Sequence, residues 1–313
     1  MFNCAIINSN VFKQIMKLFL TLILFFLSVF FVNAQSSETK LILLGTGSPF
    51  ADPDKSGPSM AIVVNNSSYI IDCGPGVVRR AAQAKELGFP SLAASELKKL
   101  FVTHLHTDHT VGIADMIFTP AVLDRNAPID IYGPSGIKKM THHILAAYKK
   151  DINIRVKGLE KGDAIAYKIN VKEITEGEIY KDSNVIVTAF KVNHGNWDNA
   201  FGFVFKTKDK KIVLSGDCTY SENLINYAKD CDILVHEVYS DEGLKKRTKR
   251  WQTYHSTFHT STYQLADIAN KVKPKLLVLN HQLTFGSSMQ SLVDEIKTKY
   301  NGPIANGADL DIY

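Results

Sequence analysis

The chain has 313 residues, of which 45% are hydrophobic, and its formal net charge at pH 7 is +5. The hydrophobic fraction is large enough for a real core, and the small positive charge does not require a nucleic-acid partner. Beyond residue 34 only Cys73, Cys218 and Cys231 remain. This odd number excludes a disulfide framework, so we interpret the three side chains as buried thiols.

The N-terminal segment has the pattern of a signal peptide. An apolar run covers residues 18–32, and the small residue Ala34 suits cleavage directly after it. We therefore predict a signal peptide over residues 1–34, in which residues 1–15 carry no recognisable signal and Met16 is a second candidate start. The alternative is an uncleaved membrane anchor, but the run is short for a span and no positive cluster follows it. Cleavage would remove two lysines and no acid, lowering the charge from +5 to +3, and predicts an exported protein, periplasmic or secreted, without a membrane anchor.

The remaining chain alternates between β-rich and helical patterns. Strands are predicted at residues 41–45, 60–64 and 68–74, a helix at 76–88, strands at 97–104 and 130–134, and an amphipathic helix at 135–150. Further strands are predicted at 152–192, 201–207, 210–217 and 231–237, and a helix followed by a strand over 261–281. No linker divides the chain, which favours one domain over 35–313. Two groups of strands with helices outside them predict an α/β fold, a sandwich of two sheets between helices.

The sequence HLHTDH, from His104 to His109, carries the clearest chemistry. His104 and His106 lie two apart at the end of a predicted strand, so both side chains point the same way. Asp108 and His109 follow in the turn. Three imidazoles and a carboxylate within six residues suit Zn²⁺, and also Fe or Mn, so the motif predicts a metal site.

Several further motifs accompany HLHTDH in a fixed order: LLGTGSP (43–49), IDCGPG (71–76), VNHGNWDNAFGFVF (192–205), LSGDCTY (214–220), LVHEVY (234–239), HTSTYQLADIA (259–269) and LLVLNH (276–281). Together they resemble the metallo-β-lactamase superfamily, and more closely its ribonuclease Z and arylsulfatase-like branch. The resemblance covers nearly all of residues 41–313. It implies a four-layer αββα metallo-β-lactamase sandwich.

The resemblance also implies a site for two Zn²⁺ ions, with Mn²⁺ or Fe as alternatives. One metal would be held by His104, His106 and His194, the other by Asp108, His109 and His281, with Asp217 bridging them. Two such metals would yield a hydroxide between them and polarise the oxygen of the substrate. Asp108 therefore counts among the catalytic residues as well as among the ligands.

Two more residues match catalytic positions of the family. His259 is the candidate proton donor to the leaving group, and Glu237 would orient it by hydrogen bonding. The alternative for this pair is an ordinary polar contact near the core. Asp72 follows an apolar strand, and we expect it to support the site without being a ligand.

Candidate substrate contacts lie in two places. Lys246, Arg247 and Arg250 belong to the most basic stretch of the sequence, which is either a collar for an anionic substrate or a solvated helix face. His255, four residues before His259, would reach the pocket or face solvent. Trp197 would form a wall for the substrate or pack in the interior.

We therefore expect a zinc-dependent hydrolase of small anionic esters, either phosphodiesters or sulfate esters. Asp217 lies 23 positions after His194, which leaves no room for the long transfer-RNA arm often found there in ribonuclease Z enzymes. A nucleic-acid partner is accordingly not favoured, and a homodimer is left open. The alternatives are a ribonuclease Z-type endonuclease that processes transfer-RNA 3′ ends and, in a different class, a non-catalytic metal-binding protein. A true β-lactamase would keep a cysteine where Asp217 stands.

Overall fold

The computed structural model describes residues 16–17 and 38–313. The signal peptide expected over residues 1–34 therefore lies, apart from two residues, outside the described part of the chain. Residues Thr39–Tyr313 form one compact unit. Among the described residues, no helix combines the length and the apolar character needed to cross a membrane.

The first sheet has six strands, which lie in the order of the chain. They are β1 (Lys40–Gly45), β2 (Ser59–Val64), β3 (Ser67–Ile71), β4 (Lys99–Phe101), β5 (Ile129–Gly133) and β6 (Ile169–Glu173). The first three strands pair antiparallel and the last four pair parallel. Every residue of β2 is buried, as expected for a strand that is covered on both faces.

The second sheet has seven strands: β7 (Gly177–Lys181), β8 (Ile186–His194), β9 (Trp197–Lys206), β10 (Lys211–Leu214), β11 (Ile233–Tyr239), β12 (Leu276–Leu283) and β13 (Ile304–Asn306). They lie in reverse chain order from β13 to β7. Strands β7 to β10 pair antiparallel, whereas β10 to β13 pair parallel. The parallel strands therefore end at the same edge of the sheet.

Ten α-helices lie within the described residues: α1 (Val77–Glu86), α2 (Thr107–Thr110), α3 (Ile113–Val122), α4 (Ile137–Ala147), α5 (Lys149–Lys157), α6 (Glu222–Ala228), α7 (Asp241–Lys245), α8 (Lys249–Phe258), α9 (Thr262–Val272) and α10 (Met289–Lys297). Helices α1, α3 and α4 share a core with the first sheet, and α6, α9 and α10 share another with the second. The molecule is thus the αββα sandwich that the sequence predicts.

A third core fills the space between the two sheets. Strand β9 shows why it forms, because Phe201, Phe203 and Phe205 alternate with residues that face the helices of the second sheet. The ring of Phe101 meets that of Phe205 edge to face at 5.4 Å. Burial of each such ring stabilises the fold by about 1.5–3 kcal/mol.

Two predictions for residues 135–192 were wrong in part. The helix expected over 135–150 ends at Ala147, and α5 occupies residues 149–157, where strands were expected from residue 152. The β-branched residues of α5 favoured a strand in the sequence. In the structure Ile152 and Val156, four residues apart, pack on one hydrophobic cluster. On the polar side Arg155 pairs with Asp151, also four residues away, at 3.0 Å. The spacing of a helix therefore suits both the apolar and the polar side chains of α5.

Candidate metal centre

The sequence-predicted ligands gather at one edge of the sandwich, where strands of both sheets end. His104 follows β4, His194 ends β8, and Asp217 follows β10. His281 lies in β12 at a bulge, where it has no partner on β11. Strand ends that meet at one edge are a common place for sites in α/β folds, because the strands hold the intervening loops in register.

Left-handed backbone conformations occur at or next to several residues of the site. Asp72 and His281 have φ values of 56° and 45°, and Gly216, next to Asp217, has a φ of 60°. A Cβ atom on Gly216 would lie 2.6 Å from the carbonyl oxygen of Phe201, so only glycine fits this turn. Strained conformations of this kind concentrate at functional sites.

The first group of donors consists of three imidazoles and one carboxylate. Nδ1 of His106 lies 3.0 Å from Nε2 of His104 and 3.0 Å from Nε2 of His194. Oδ2 of Asp217 lies 4.0 Å from Nε2 of His104. One atom from each residue falls within 4.8 Å of the others, a spacing that a single metal ion can span.

The second group shares the same aspartate. Nε2 of His109 lies 3.5 Å from Oδ2 of Asp108 and 3.5 Å from Oδ2 of Asp217. Nε2 of His281 lies 3.2 Å from Asp108 and 3.4 Å from Asp217. Nε2 of His109 is buried and has no hydrogen-bond partner among the described residues, so this atom fits a metal ligand. Nitrogen donors combined with carboxylates suit a divalent transition cation.

Outer contacts fix the orientation of the imidazoles. Asp72 lies 2.8 Å from Nδ1 of His109 and also accepts a hydrogen bond from the hydroxyl of Thr103, at 2.8 Å. Because that hydroxyl donates to Asp72, it accepts from Nδ1 of His104 at 3.0 Å. The carbonyl oxygen of Phe258 accepts from Nδ1 of His194 at 2.7 Å. Each contact leaves Nε2 of the ring free for a metal, and the sequence revealed neither Thr103 nor Phe258.

Trp197 lies beside the ligands. Its indole N–H donates to Nε2 of His106 at 2.6 Å, and the two rings are nearly perpendicular. An indole only donates, whereas a neutral imidazole cannot accept at Nε2 and present a lone pair at Nδ1 at once. With the indole in this position, the proton of the neutral His106 ring lies on Nδ1. A cation could bind to Nδ1 only if the ring lost that proton as well or if the indole moved.

Burial and charge divide the imidazoles into two classes. Burial lowers the pKa of His104 well below its ordinary value and lowers that of His194 to about 4, so both rings are neutral and ready to bind a cation. Burial acts in the same direction on His109, but the carboxylates of Asp217 and Asp72 raise its pKa well above the ordinary value. The neighbouring carboxylates thus favour the protonated form of His109, whereas burial favours the neutral form of His104 and His194.

Glu237 connects the segments around Asp217 and His259. Its Oε1 accepts from the backbone N–H groups of Cys218, at 3.2 Å, and Thr260, at 3.1 Å. The same oxygen lies 3.3 Å from Nδ1 of His259. His259 also forms a third possible donor group with Asp217 and His281, so geometry alone allows it to be a ligand or a proton donor.

The predicted substrate contacts lie around helix α8. Lys246, Arg247 and Arg250 are exposed. His255 is half-buried, its ring lies 5.6 Å from that of His259, and burial lowers its pKa to about 4. Trp197 lies against a ligand, as described above. The binding of substrate by these residues stays a prediction.

Residues 39–292 match the family described as Anti-Pycsar protein Apyc1. Ribonuclease Z from Mycobacterium bovis (strain BCG / Pasteur 1173P2) is 28% identical over 277 residues, which cover 87% of this chain and 96% of the relative.

Solved structures share the fold at low identity. The metallo-β-lactamase fold protein YhfI from Bacillus subtilis superposes with a TM-score of 0.68 at 16% identity, covering 88% of this chain and 99% of the other. The short form of human tRNase Z superposes with a TM-score of 0.65 at 21% identity, covering 88% and 98%. At these identities the likeness shows the fold alone.

Proposed function

Because the chain belongs to the Apyc1 family, in the ribonuclease Z branch of the metallo-β-lactamase superfamily of metal-dependent hydrolases, we propose that it hydrolyses phosphodiester bonds at a site for two cations. The observation that carries this proposal is the convergence of six donor side chains around a seventh, Asp217, whose Oδ2 lies near imidazoles of both groups.

The proposed ligands are those that the sequence suggested. His104, His106 and His194 would hold one cation, Asp108, His109 and His281 the other, and Asp217 both. We propose Zn²⁺, with Mn²⁺ or Fe as alternatives, because imidazoles outnumber carboxylates in the set. Such a pair of cations supplies an activated water and neutralises charge on the reacting phosphoryl group.

The proposed role of His259 is to give a proton to the leaving oxygen. Glu237 accepts a hydrogen bond from Nδ1 of this ring and so fixes its orientation. The same carboxylate holds the backbone on both sides of the site through Cys218 and Thr260. Glu237 is therefore a positioning residue in this proposal, since the described contacts keep it behind His259.

RNA is the first candidate substrate, because the curated relatives are named ribonuclease Z. This departs from the initial expectation, in which a small ester was preferred and no nucleic acid was favoured. The second candidate is a small phosphodiester. A specific observation favours it: strands β9 and β10 fill the interval between His194 and Asp217, with only residues 207–210 between them, so no arm extends from this interval.

One experiment separates these candidates. The purified protein, loaded with zinc or manganese, is given a precursor transfer RNA with a 3′ trailer, bis(p-nitrophenyl) phosphate and p-nitrophenyl sulfate. We expect hydrolysis of a phosphodiester and loss of that activity in Asp217→Ala. Endonucleolytic removal of the trailer supports the RNA substrate, and activity on the small phosphodiester alone supports the second candidate. Activity on the sulfate alone, or metal retention without any hydrolysis, would contradict the proposal.

A further inference from the structure

Helix α8 presents a row of aromatic side chains beside the metal ligands. Trp251, Tyr254 and Phe258 lie three and four residues apart, so they share one face of the helix. The ring of Tyr254 stacks on that of Phe258 at 4.5 Å with an interplanar angle of 23°. Trp251 meets Tyr254 edge to face at 5.7 Å. The three rings form a continuous path along the helix.

The inner end of this path touches the candidate metal centre. The ring of Phe258 lies 5.2 Å from that of His194 and is nearly perpendicular to it. The carbonyl oxygen of Phe258 accepts the hydrogen bond from the same imidazole. Only the ring of Phe258 lies between Tyr254 and the imidazole of His194. A group that stacks on Tyr254 can therefore belong to a substrate that reacts at the metal centre.

The outer end of the path is open and positively charged. Trp251 is 42% exposed and Tyr254 is 38% exposed, which is unusual for two neighbouring large rings. The guanidinium of Arg250 lies 5.8 Å from the centre of the Trp251 ring. Exposed aromatic faces next to cations are how proteins hold nucleic-acid bases without reading their sequence.

We propose that the exposed rings of Trp251 and Tyr254 form a stacking site for a nucleobase of the substrate, whose phosphodiester reacts at the metal centre. This inference rests on the proposed phosphodiesterase function and adds the recognition of a base to it. The basic side chains next to the rings would face the phosphate charges that such a substrate carries.

Charge favours a nucleotide over a second copy of this chain as the occupant. Lys245 is paired with Glu242 at 2.6 Å, whereas Lys246, Arg247, Lys249 and Arg250 form no ion pair with any residue in the described part of the chain. A two-fold contact over this face would bring two such clusters together and leave their repulsion uncompensated. A nucleotide brings the opposite charge.

The test uses two esters that differ only in the base. One is the 5′-(p-nitrophenyl phosphate) of thymidine, and the other is the same ester of 1,2-dideoxyribose, which has no base. Since stacking on an aromatic side chain changes affinity substantially, Trp251→Ala and Tyr254→Ala should each raise KM for the thymidine ester by about 5- to 100-fold. The kcat for this ester, and both constants for the base-free ester, should change little.

Matched variants control for folding and surface effects. Tyr148→Ala removes another exposed aromatic ring, which packs at a tilted angle on Phe118 away from the candidate metal ligands, and should leave both esters unaffected. Trp251→Phe and Tyr254→Phe keep a ring and should restore most of the affinity. Equal losses on both esters would overturn the inference, as would a change from dimer to monomer in the alanine variants without a KM effect.

A second readout does not depend on hydrolysis. The chain has only two tryptophans, Trp197 and Trp251, so thymidine 5′-monophosphate should quench the fluorescence of the purified protein and ribose 5-phosphate should not. The quenching should disappear in Trp251→Phe. If neither ester is hydrolysed but the quenching is observed, the phosphodiesterase proposal fails and the base site stands. Quenching that persists in Trp251→Phe would overturn the inference.

Discussion

At the scale of the residue, Asp217 occupies the position that both donor groups need. Its Oδ2 lies 3.5 Å from His109, 3.4 Å from His281 and 4.0 Å from His104. The charges of His281 and His109 outweigh the effect of burial and hold the pKa of Asp217 well below its ordinary value, so the side chain is a carboxylate throughout the physiological range. No other described acid is shared by the two groups.

Replacement of this residue should therefore remove metal. Asp217→Ala is expected to lower the bound metal from two ions per chain to one or none, because the bridging ligand of both sites is lost. Elemental analysis of the purified variant measures this directly. Asp267→Ala, an exposed carboxylate paired with Lys271, is the matched control and should retain two ions. Full occupancy in Asp217→Ala would mean that the bridge is assigned to the wrong residue.

His259 is the residue whose role the geometry leaves divided between proton donor and ligand. If it is the donor, His259→Ala should lower kcat by about 10²- to 10⁴-fold and keep both metals. Glu237→Gln keeps an oxygen for the backbone N–H groups but removes the negative charge beside the ring, so its loss should be smaller. Steady-state kinetics with metal analysis on the same samples checks both. Loss of metal in His259→Ala would make this side chain a ligand.

At the scale of the element, the turn between β8 and β9 connects the candidate ligand His194 with helix α8. Gly195 has a φ of 53°, and a Cβ atom added to it would lie 2.2 Å from the ring of Phe258. Phe258 in turn holds His194 through its carbonyl oxygen. The absence of a side chain at residue 195 thus lets the helix lie directly on the hairpin.

Gly195→Ala should destabilise the protein and disturb the metal centre together. The left-handed conformation alone costs about 1–2 kcal/mol for alanine, and the overlap with Phe258 adds to this. Urea denaturation and zinc affinity are the measurements. Gly88→Ala is the control, because its φ of 103° is also positive but no atom lies within 4 Å of the added Cβ. A variant at residue 195 that loses no more stability than this control would contradict the close packing.

The basic residues around the start of α8 give a prediction about substrate charge. Replacement of Lys246, Arg247, Lys249 and Arg250 by Ser should lower kcat/KM for an anionic phosphodiester. Most of the loss should disappear at high salt, because surface charges are screened beyond about 10 Å at 0.1 M. A neutral ester should be nearly unaffected. Equal losses on charged and neutral substrates would show that the segment only supports the fold.

The sequence predicts those parts of the site whose pattern lies within a short segment of the chain. HLHTDH places four donors within six residues, and His281 and Asp217 each follow an apolar run, so their positions could be predicted. The sequence carries no comparable signal for Thr103, or for the carbonyl oxygen of Phe258, because any residue type supplies a carbonyl and threonine is common. These contacts arise only when distant segments pack together.

The prediction of helix α5 failed for a related reason. Strands that are short apolar runs, such as β9, were predicted because a continuous apolar run is typical of a strand that is buried on both faces. Helix α5 was missed because Ile152, Ile154 and Val156 alternate with polar residues as in a strand, whereas the cluster that selects helical spacing includes Ala121 and Tyr167 from elsewhere in the chain. Tertiary packing decided between two periods that the local sequence allowed.

At the scale of the whole molecule, both sheets contribute to the site. The loop after β4 brings His104, and β8 and β12 of the other sheet bring His194 and His281. The donors therefore lie where the two halves of the sandwich meet. No segment of either sheet carries the complete set.

The compartment in which this molecule works bears on its substrate. If residues 1–34 are an export signal, the mature protein begins at Gln35 and is separated from precursor transfer RNA in the cytoplasm. N-terminal sequencing of the native protein, with fractionation of the cells, measures both points. An intact N-terminus on a cytoplasmic protein would refute export and strengthen the RNA substrate.

Residues 310–313 lie along β1, the edge strand of the first sheet. Backbone hydrogen bonds join Leu41 of β1 to Tyr313 in both directions, and Leu43 to Asp311 and Leu310. Strand β1 therefore lacks these bonds until residues 310–313 have been synthesised, and contacts between such distant positions form slowly. A newly made chain would thus stay incompletely folded after its first strands emerge. If the chain is exported, as its N-terminal pattern predicts, delayed folding of this kind would give a transport machinery that threads unfolded chains time to engage the N-terminus.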